Sequence, residues 1–96
     1  MNVTEGSVEV KNLLGLNLGA AAALAGMANR FTSQITIGLG KNQVSAKSIV
    51  RLIILGAGLG SRLHLRAEGS DADEAVAAIQ ALFERQFGDE RPSRSG

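Results

Sequence analysis

The sequence has no cysteine, tryptophan or tyrosine, and holds one proline and one histidine. Without Cys there is no disulfide framework and no thiolate metal site. The single His64 has no second His and no carboxylate at ligand spacing, so a zinc-type centre lacks its donors and no metal or cofactor is implied. The only aromatic residues are three Phe. The core must therefore be aliphatic, and there is no aromatic platform on which bases could stack. A formal net charge of +1 gives no electrostatic ground for nucleic acid or an acidic membrane as partner. No stretch approaches the roughly 20 apolar residues of a membrane span. Met1 to Lys11 contains no apolar run, so no secretory signal is expected. A cysteine-free chain of this kind is compatible with the cytoplasm, which is the expected location.

What is present suits a small folded unit. The 96 residues are 45% hydrophobic, enough for one domain with one core. Twelve Gly imply several tight turns. Residues 1–88 are expected to form the domain. Residues 89–96 are polar, contain Pro92, and are expected to form a flexible tail.

Along the chain, Val8 and Val10 alternate with Ser7, Glu9 and Lys11 as in a half-buried strand, closed by Gly15. An Ala-rich block from Leu18 to Arg30 predicts a helix with Ala20, Leu24, Met27 and Phe31 on its apolar face. Asn17 stands before it as an N-cap. Ile35, Ile37 and Leu39 at period two predict a second strand over 34–39. A turn around Gly40 to Asn42 leads to a short third strand over 43–45. The run from Ile49 to Leu55 fits a buried strand or a short helix by periodicity alone, and Ser48 as N-cap favours the helix. After Gly56, Gly58 and Gly60, the residues Leu63, Leu65 and Ala67 alternate with Arg62, His64 and Arg66 as a fourth strand. Asp71 and Glu74 form an acidic variant of the capping box. Val76, Ile79, Phe83 and Phe87 repeat on one face of a last helix. The order β-α-β-β-α-β-α is that of an α+β fold, with helices on one face of an antiparallel sheet.

That order and several strings resemble the HPr family, the phosphocarriers of bacterial sugar uptake, from about Val8 to Phe87. The family's active loop reads Gly-Leu-His-Ala-Arg-Pro-Ala-Ala; here the string is Gly15-Leu16-Asn17-Leu18-Gly19-Ala20-Ala21-Ala22. Phe31 to Thr36 is similar to the family's entry into the second strand. Ala46-Lys47-Ser48-Ile49 matches its regulatory serine segment, and Arg66 to Gly69 its last strand. The resemblance implies an open-faced sandwich of four antiparallel strands with three helices on one face. It implies a non-enzymatic protein whose partners belong to the phosphotransferase system, or are an HPr kinase and a regulator.

The departures decide the expected chemistry. In the family the loop histidine accepts phosphate from a phosphohistidine on enzyme I, and the neighbouring Arg helps to hold it. Asn17 stands at the histidine position, Gly19 at the arginine and Ala20 at the proline, with Leu18 between them. A carboxamide nitrogen is conjugated with its carbonyl and is a poor nucleophile, so the loop is a degenerate active site. Ser48 is the candidate for regulatory phosphorylation, beside its plain role as helix cap. A phosphate there would meet free amides and the helix dipole. Ile49 and Ile53, one turn apart, would form a docking patch with Asn17 if they face outward, or fill the core if they do not. His64 is expected on the outer face of its strand. The glycines at 56, 58 and 60 lack the Lys and spacing of a phosphate loop and read as turns. An inactivated or engineered phosphocarrier, and a structural or oligomerising relic of the fold, are the alternative readings.

Overall fold

The computed structural model describes residues 2–88. The elements are β1 (Val3–Glu9), α1 (Leu18–Ala28), β2 (Gln34–Leu39), β3 (Asn42–Ser45), α2 (Ile49–Leu55), β4 (Arg62–Glu68) and α3 (Ala72–Glu84), followed by a 3-10 turn over Gln86–Gly88. The strands form one antiparallel sheet in the order β1-β4-β2-β3. The last strand in sequence thus lies inside the sheet, between β1 and β2. Leu65 sits opposite Gly6 of β1 and Ile37 of β2. The predicted fold class and element order hold. The proposed tail, 89–96, lies outside the described residues.

Period-two alternation determines the two faces. Val8, Ile35, Ile37, Leu63, Leu65 and Ala67 are buried and join Leu24, Leu52, Ile79 and Phe83 from the three helices in one core. The other face of β4 carries Arg62, His64 and Arg66, paired with Glu5 and Glu9 of β1 at 3.6–3.7 Å. This places His64 outside, as predicted, and its neighbouring cations are matched by carboxylates.

Four local details differ from the sequence reading. β1 starts at Val3, well before Val8, and Val10 lies beyond its end. As an edge strand β1 leaves most of its outer half exposed, so that half carries no apolar alternation. α1 ends at Ala28, because Asn29 folds its side-chain Nδ2 onto the Ala25 carbonyl at 2.8 Å. Phe87 is not part of α3. Gln86 and Phe87 take φ of 54° and 61°, turning the chain so that the Phe87 ring packs edge-on against Phe83 at 4.7 Å. Asp71 makes no side-chain cap bond to α3.

The Asp71 carboxylate instead accepts from the hydroxyl of Ser33 at 2.5 Å and from the backbone N–H groups of Thr32 and Ser33, each at 2.9 Å. It clips the start of α3 to the segment between α1 and β2. The Ser33 hydroxyl, with the two amides, draws the Asp71 pKa down from 3.8 to about 2. A depressed carboxylate pKa means that the ionised form stabilises the fold. That contribution is complete above the ordinary carboxylate pKa and is lost as pH falls from about 4 through about 2. Asp71→Asn is therefore expected to lower the melting temperature at neutral pH. The gap to wild type should close across that acidic window in a series of thermal melts, and a pH-independent gap would contradict this account.

Candidate functional site

Residues 10–17 form a loop laid against residues 57–61. The Val10 N–H donates to the Ser61 carbonyl at 2.9 Å, the Gly60 N–H to the Val10 carbonyl at 2.8 Å, and the Leu16 N–H to the Ala57 carbonyl at 2.9 Å. Gly15 makes this contact possible. Its φ is +65°, and a Cβ there would stand 2.5 Å from the Ala57 carbonyl oxygen. Asn12, buried in the loop, donates from Nδ2 to the Gly15 carbonyl at 2.7 Å. Its Oδ1 is buried with no partner.

The loop delivers Asn17 to the head of α1 in extended conformation, where its Oδ1 accepts from the Ala20 N–H at 3.0 Å. This is N-cap geometry, as the sequence predicted. Leu18 and Gly19 are exposed and Ala20 is buried. No acidic residue stands in the first turn to answer the helix dipole. Facing this end of α1 across a cavity of about 220 Å³ are Gln86, Phe87 and Gly88. Among the described residues the cavity lining contains no charged side chain.

Ser48 caps α2 with its Oγ accepting from the Arg51 N–H at 3.2 Å. Lys47, beside it, donates from Nζ to the Phe31 carbonyl at 2.8 Å and so is tied to the segment that follows α1. Asn29 also donates to the Lys47 carbonyl at 3.1 Å. Ser48 therefore lies near the C-terminal end of α1, whereas Asn17 lies at the N-terminal end, about 16 Å away at 1.5 Å per helical residue. The two candidate positions belong to one face but do not touch.

Leu52 and Leu55 of α2 point inward; Ile49 and Ile53 are 38% and 41% exposed. The more exposed pair is Val50 and Ile54, at 65% and 70%. The same helical periodicity that turns Leu52 and Leu55 inward turns these two outward, a signal the sequence already held. Leu13, Leu14 and Leu18 continue the exposed apolar surface around the loop. Charge adds a pattern that composition averages away. From residue 10 to residue 61 there is no Asp or Glu, while Lys11, Arg30, Lys41, Lys47 and Arg51 fall in that span. Lys11 is paired with Glu84 of α3 at 2.8 Å; the other cations and the exposed aliphatic side chains make the α1–α2 side of the molecule apolar and cationic.

Residues 4–85 match the family described as PTS HPr component, phosphorylation site. Phosphocarrier protein NPr of Shewanella violacea is 40% identical over 87 residues, covering 91% of this chain and 96% of the relative. HPr-like protein Crh of Halalkalibacterium halodurans is 43% identical over 84 residues, 88% of this chain and all of the relative. The crystal structure of HPr-C-His from Thermoanaerobacter tengcongensis superposes with a TM-score of 0.87 at 39% identity, covering 92% of this chain and 99% of that one.

The cap geometry gives a direct test of Asn17 as a structural residue. Asn17→Ala is expected to cost about 1 kcal/mol in denaturant unfolding. Asn17→Asp keeps the capping oxygen and adds a charge favourable to the dipole, so it should match or exceed wild type.

Proposed function

The chain belongs to the HPr phosphocarrier family, and on that footing we propose that it is a regulatory, interaction-only member that forms no phosphohistidine and is switched by phosphate on Ser48. The observation that carries this reading is Asn17. Its side-chain oxygen is held by the Ala20 amide, its nitrogen is no nucleophile, and Gly19 puts no cation beside it. The only histidine of the sequence, His64, lies on the sheet face turned away from α1. The protein works by docking. The apolar surface of Val50, Ile54, Ile53, Ile49 and Leu18, among the cations of residues 10–61, suits a partner that is apolar at its centre and acidic around it. Such partners are proteins of the phosphotransferase system, or an HPr kinase and a regulator, in the cytoplasm.

Phosphate on Ser48 would change that surface. Phosphate there would add about −1.5 to −2 charges at neutral pH. It would sit at the first amides of α2, three residues before Arg51, whose backbone N–H already donates to the Ser48 hydroxyl. The cationic character of the face would be largely cancelled. An acidic partner would be repelled, and one presenting Arg would be attracted.

Intact mass tests both halves of this reading. With enzyme I and phosphoenolpyruvate the mass should stay unchanged; gain of an acid-labile phosphate would overturn the loss of carrier function. With an HPr kinase and ATP, wild type should gain one phosphate and Ser48→Ala none. Equal uptake by both, or by neither, would remove the switch and favour a relic of the fold. For the docking surface, Val50→Asp with Ile54→Asp should leave the melting temperature nearly unchanged, since exposed substitutions fall within about 0.5 kcal/mol. Partner affinity should drop by about tenfold or more.

A further inference from the structure

We infer that the free edge of β3 takes up an extended segment of an acidic partner as a further strand of the sheet, selected by an apolar side chain and, two residues after it, a carboxylate. The site adjoins the docking surface proposed above and shares Ile54 with it. It depends neither on that surface nor on phosphate at Ser48.

The hairpin determines which backbone groups of β3 are free. β3 lies at one edge of the sheet and is joined to β2 through Gly40 and Lys41 alone, with Gly40 at φ +60° and Leu39 opposite Asn42. A turn of two residues makes Leu39 and Asn42 the closing hydrogen-bonded pair. Alternation then points the N–H and carbonyl of Val44 to β2, and those of Gln43 and Ser45 outward. The Ala46 N–H donates to the Ile35 carbonyl at 2.9 Å, in the same phase. The Ser45 carbonyl accepts from the Ser48 N–H at 3.4 Å. The N–H and carbonyl of Gln43 and the N–H of Ser45 have no partner among the described residues. The opposite edge is guarded by α3. There Gln80 donates to the Ser7 carbonyl at 3.5 Å, Thr4 donates to Asp73, and Lys11 pairs with Glu84 at 2.8 Å.

A groove of about 420 Å³ runs between β3 and the end of α2, lined by Lys41, Asn42, Gln43, Val44, Ile54 and Leu55. Its apolar wall is Val44, which packs on the core, and Ile54, which is 70% exposed. Its cation is Lys41, exposed and without an ion pair among the described residues. A strand laid antiparallel on β3 exchanges two hydrogen bonds with Gln43 and accepts a third from the Ser45 N–H. Its residue opposite Val44 shares the inner face of the sheet and meets Ile54, so it is apolar. The residue two further on stands opposite Asn42, beside Lys41, so it is acidic. The residue between them faces outward. Residues 10–61 contain no Asp or Glu that could answer a basic side chain there. Backbone bonds give the hold, and the two inward side chains give the selection.

The test titrates the isotopically labelled full chain with the capped peptide Thr-Thr-Ile-Thr-Glu-Thr-Thr and follows the amide resonances. The Gln43 and Ser45 amide protons should move downfield and saturate with a dissociation constant of about 1 mM or below. Those of Asn42 and Val44, already bonded to β2, should move less. Absence of saturation would overturn the inference. Lys in place of Glu in the peptide should weaken binding about threefold, the value of an exposed ion pair, and Lys41→Glu should reverse that preference. Equal binding of both peptides would overturn the acidic partner. Ile54→Ser should weaken binding by about tenfold with the amide spectrum still that of a folded chain, and undiminished binding would overturn the groove as the site. Val50→Asp alters the docking surface outside the groove and should leave the peptide affinity unchanged. Loss of binding in Val50→Asp, or shifts centred on Val50 and Ile53, would move the peptide to the docking surface and overturn the inference. Shifts of Gln43 and Ser45 that follow the concentration of the chain itself, without peptide, would give the edge to a second copy and overturn it likewise.

Discussion

The approach of the loop backbone to residue Ala57 sets the position of everything that follows it. At Gly15 the chain runs so close to the Ala57 carbonyl that no side chain fits, and the backbone turns through a left-handed conformation to do so. The hydrogen bonds from Leu16 to Ala57 and between Val10 and residues 60–61 then hold the loop against the segment that links α2 to β4. The head of α1, the end of α2 and the entry to the central strand are thereby fixed to one another. A loop of this length would otherwise sample many conformations at a cost of about 1–2 kcal/mol of backbone entropy per residue ordered. Here it is a rigid extension of the core, and the Asn17 cap is presented in one geometry.

The same frame explains how the two halves of the α1–α2 face relate. α2 runs back along α1, so its capped end reaches the tail of α1 while its other end returns to the loop. Asn29 ties one junction through Lys47, and Ala57 ties the other. A charge placed at Ser48 cannot touch the head of α1, but it shares a field and an apolar surface with it. Any partner broad enough to cover both ends would sense both.

Much of this was legible in the sequence where local rules and tertiary structure agree. Ser48 before an apolar run gave α2 with its observed bounds, Asn17 gave the cap of α1, and the alternation of Leu63, Leu65 and Ala67 gave β4 and the outward placing of His64. The reading failed where a distant segment overrides a local pattern. Asp71 and Glu74 have the spacing of a capping box, yet the carboxylate is taken by Thr32 and Ser33, which only the fold brings near. Phe87 continues the helical repeat of α3, yet the chain leaves the helix and returns the ring to Phe83 by a turn. Asn12 carried no local signal at all, because its importance lies in a buried oxygen without a partner. The exposed pair Val50 and Ile54 was readable from the same period, one residue on from Ile49 and Ile53.

The segregation of carboxylates away from residues 10–61 has a kinetic meaning as well as a thermodynamic one. The acids of β1 are matched by Arg62 and Arg66 of β4, so the charge left separated is that of Asp73 and Glu74 of α3 against the cations around α1 and α2, which gives the molecule a dipole. In the field of an acidic protein such a dipole feels a torque before any atoms touch, and it rotates its apolar face forward during diffusion. Over distances up to a Debye length of about 8 Å at physiological ionic strength, more of the random collisions become productive ones. The association rate then becomes the salt-sensitive quantity, while the lifetime of the complex is governed by the packing of the aliphatic side chains.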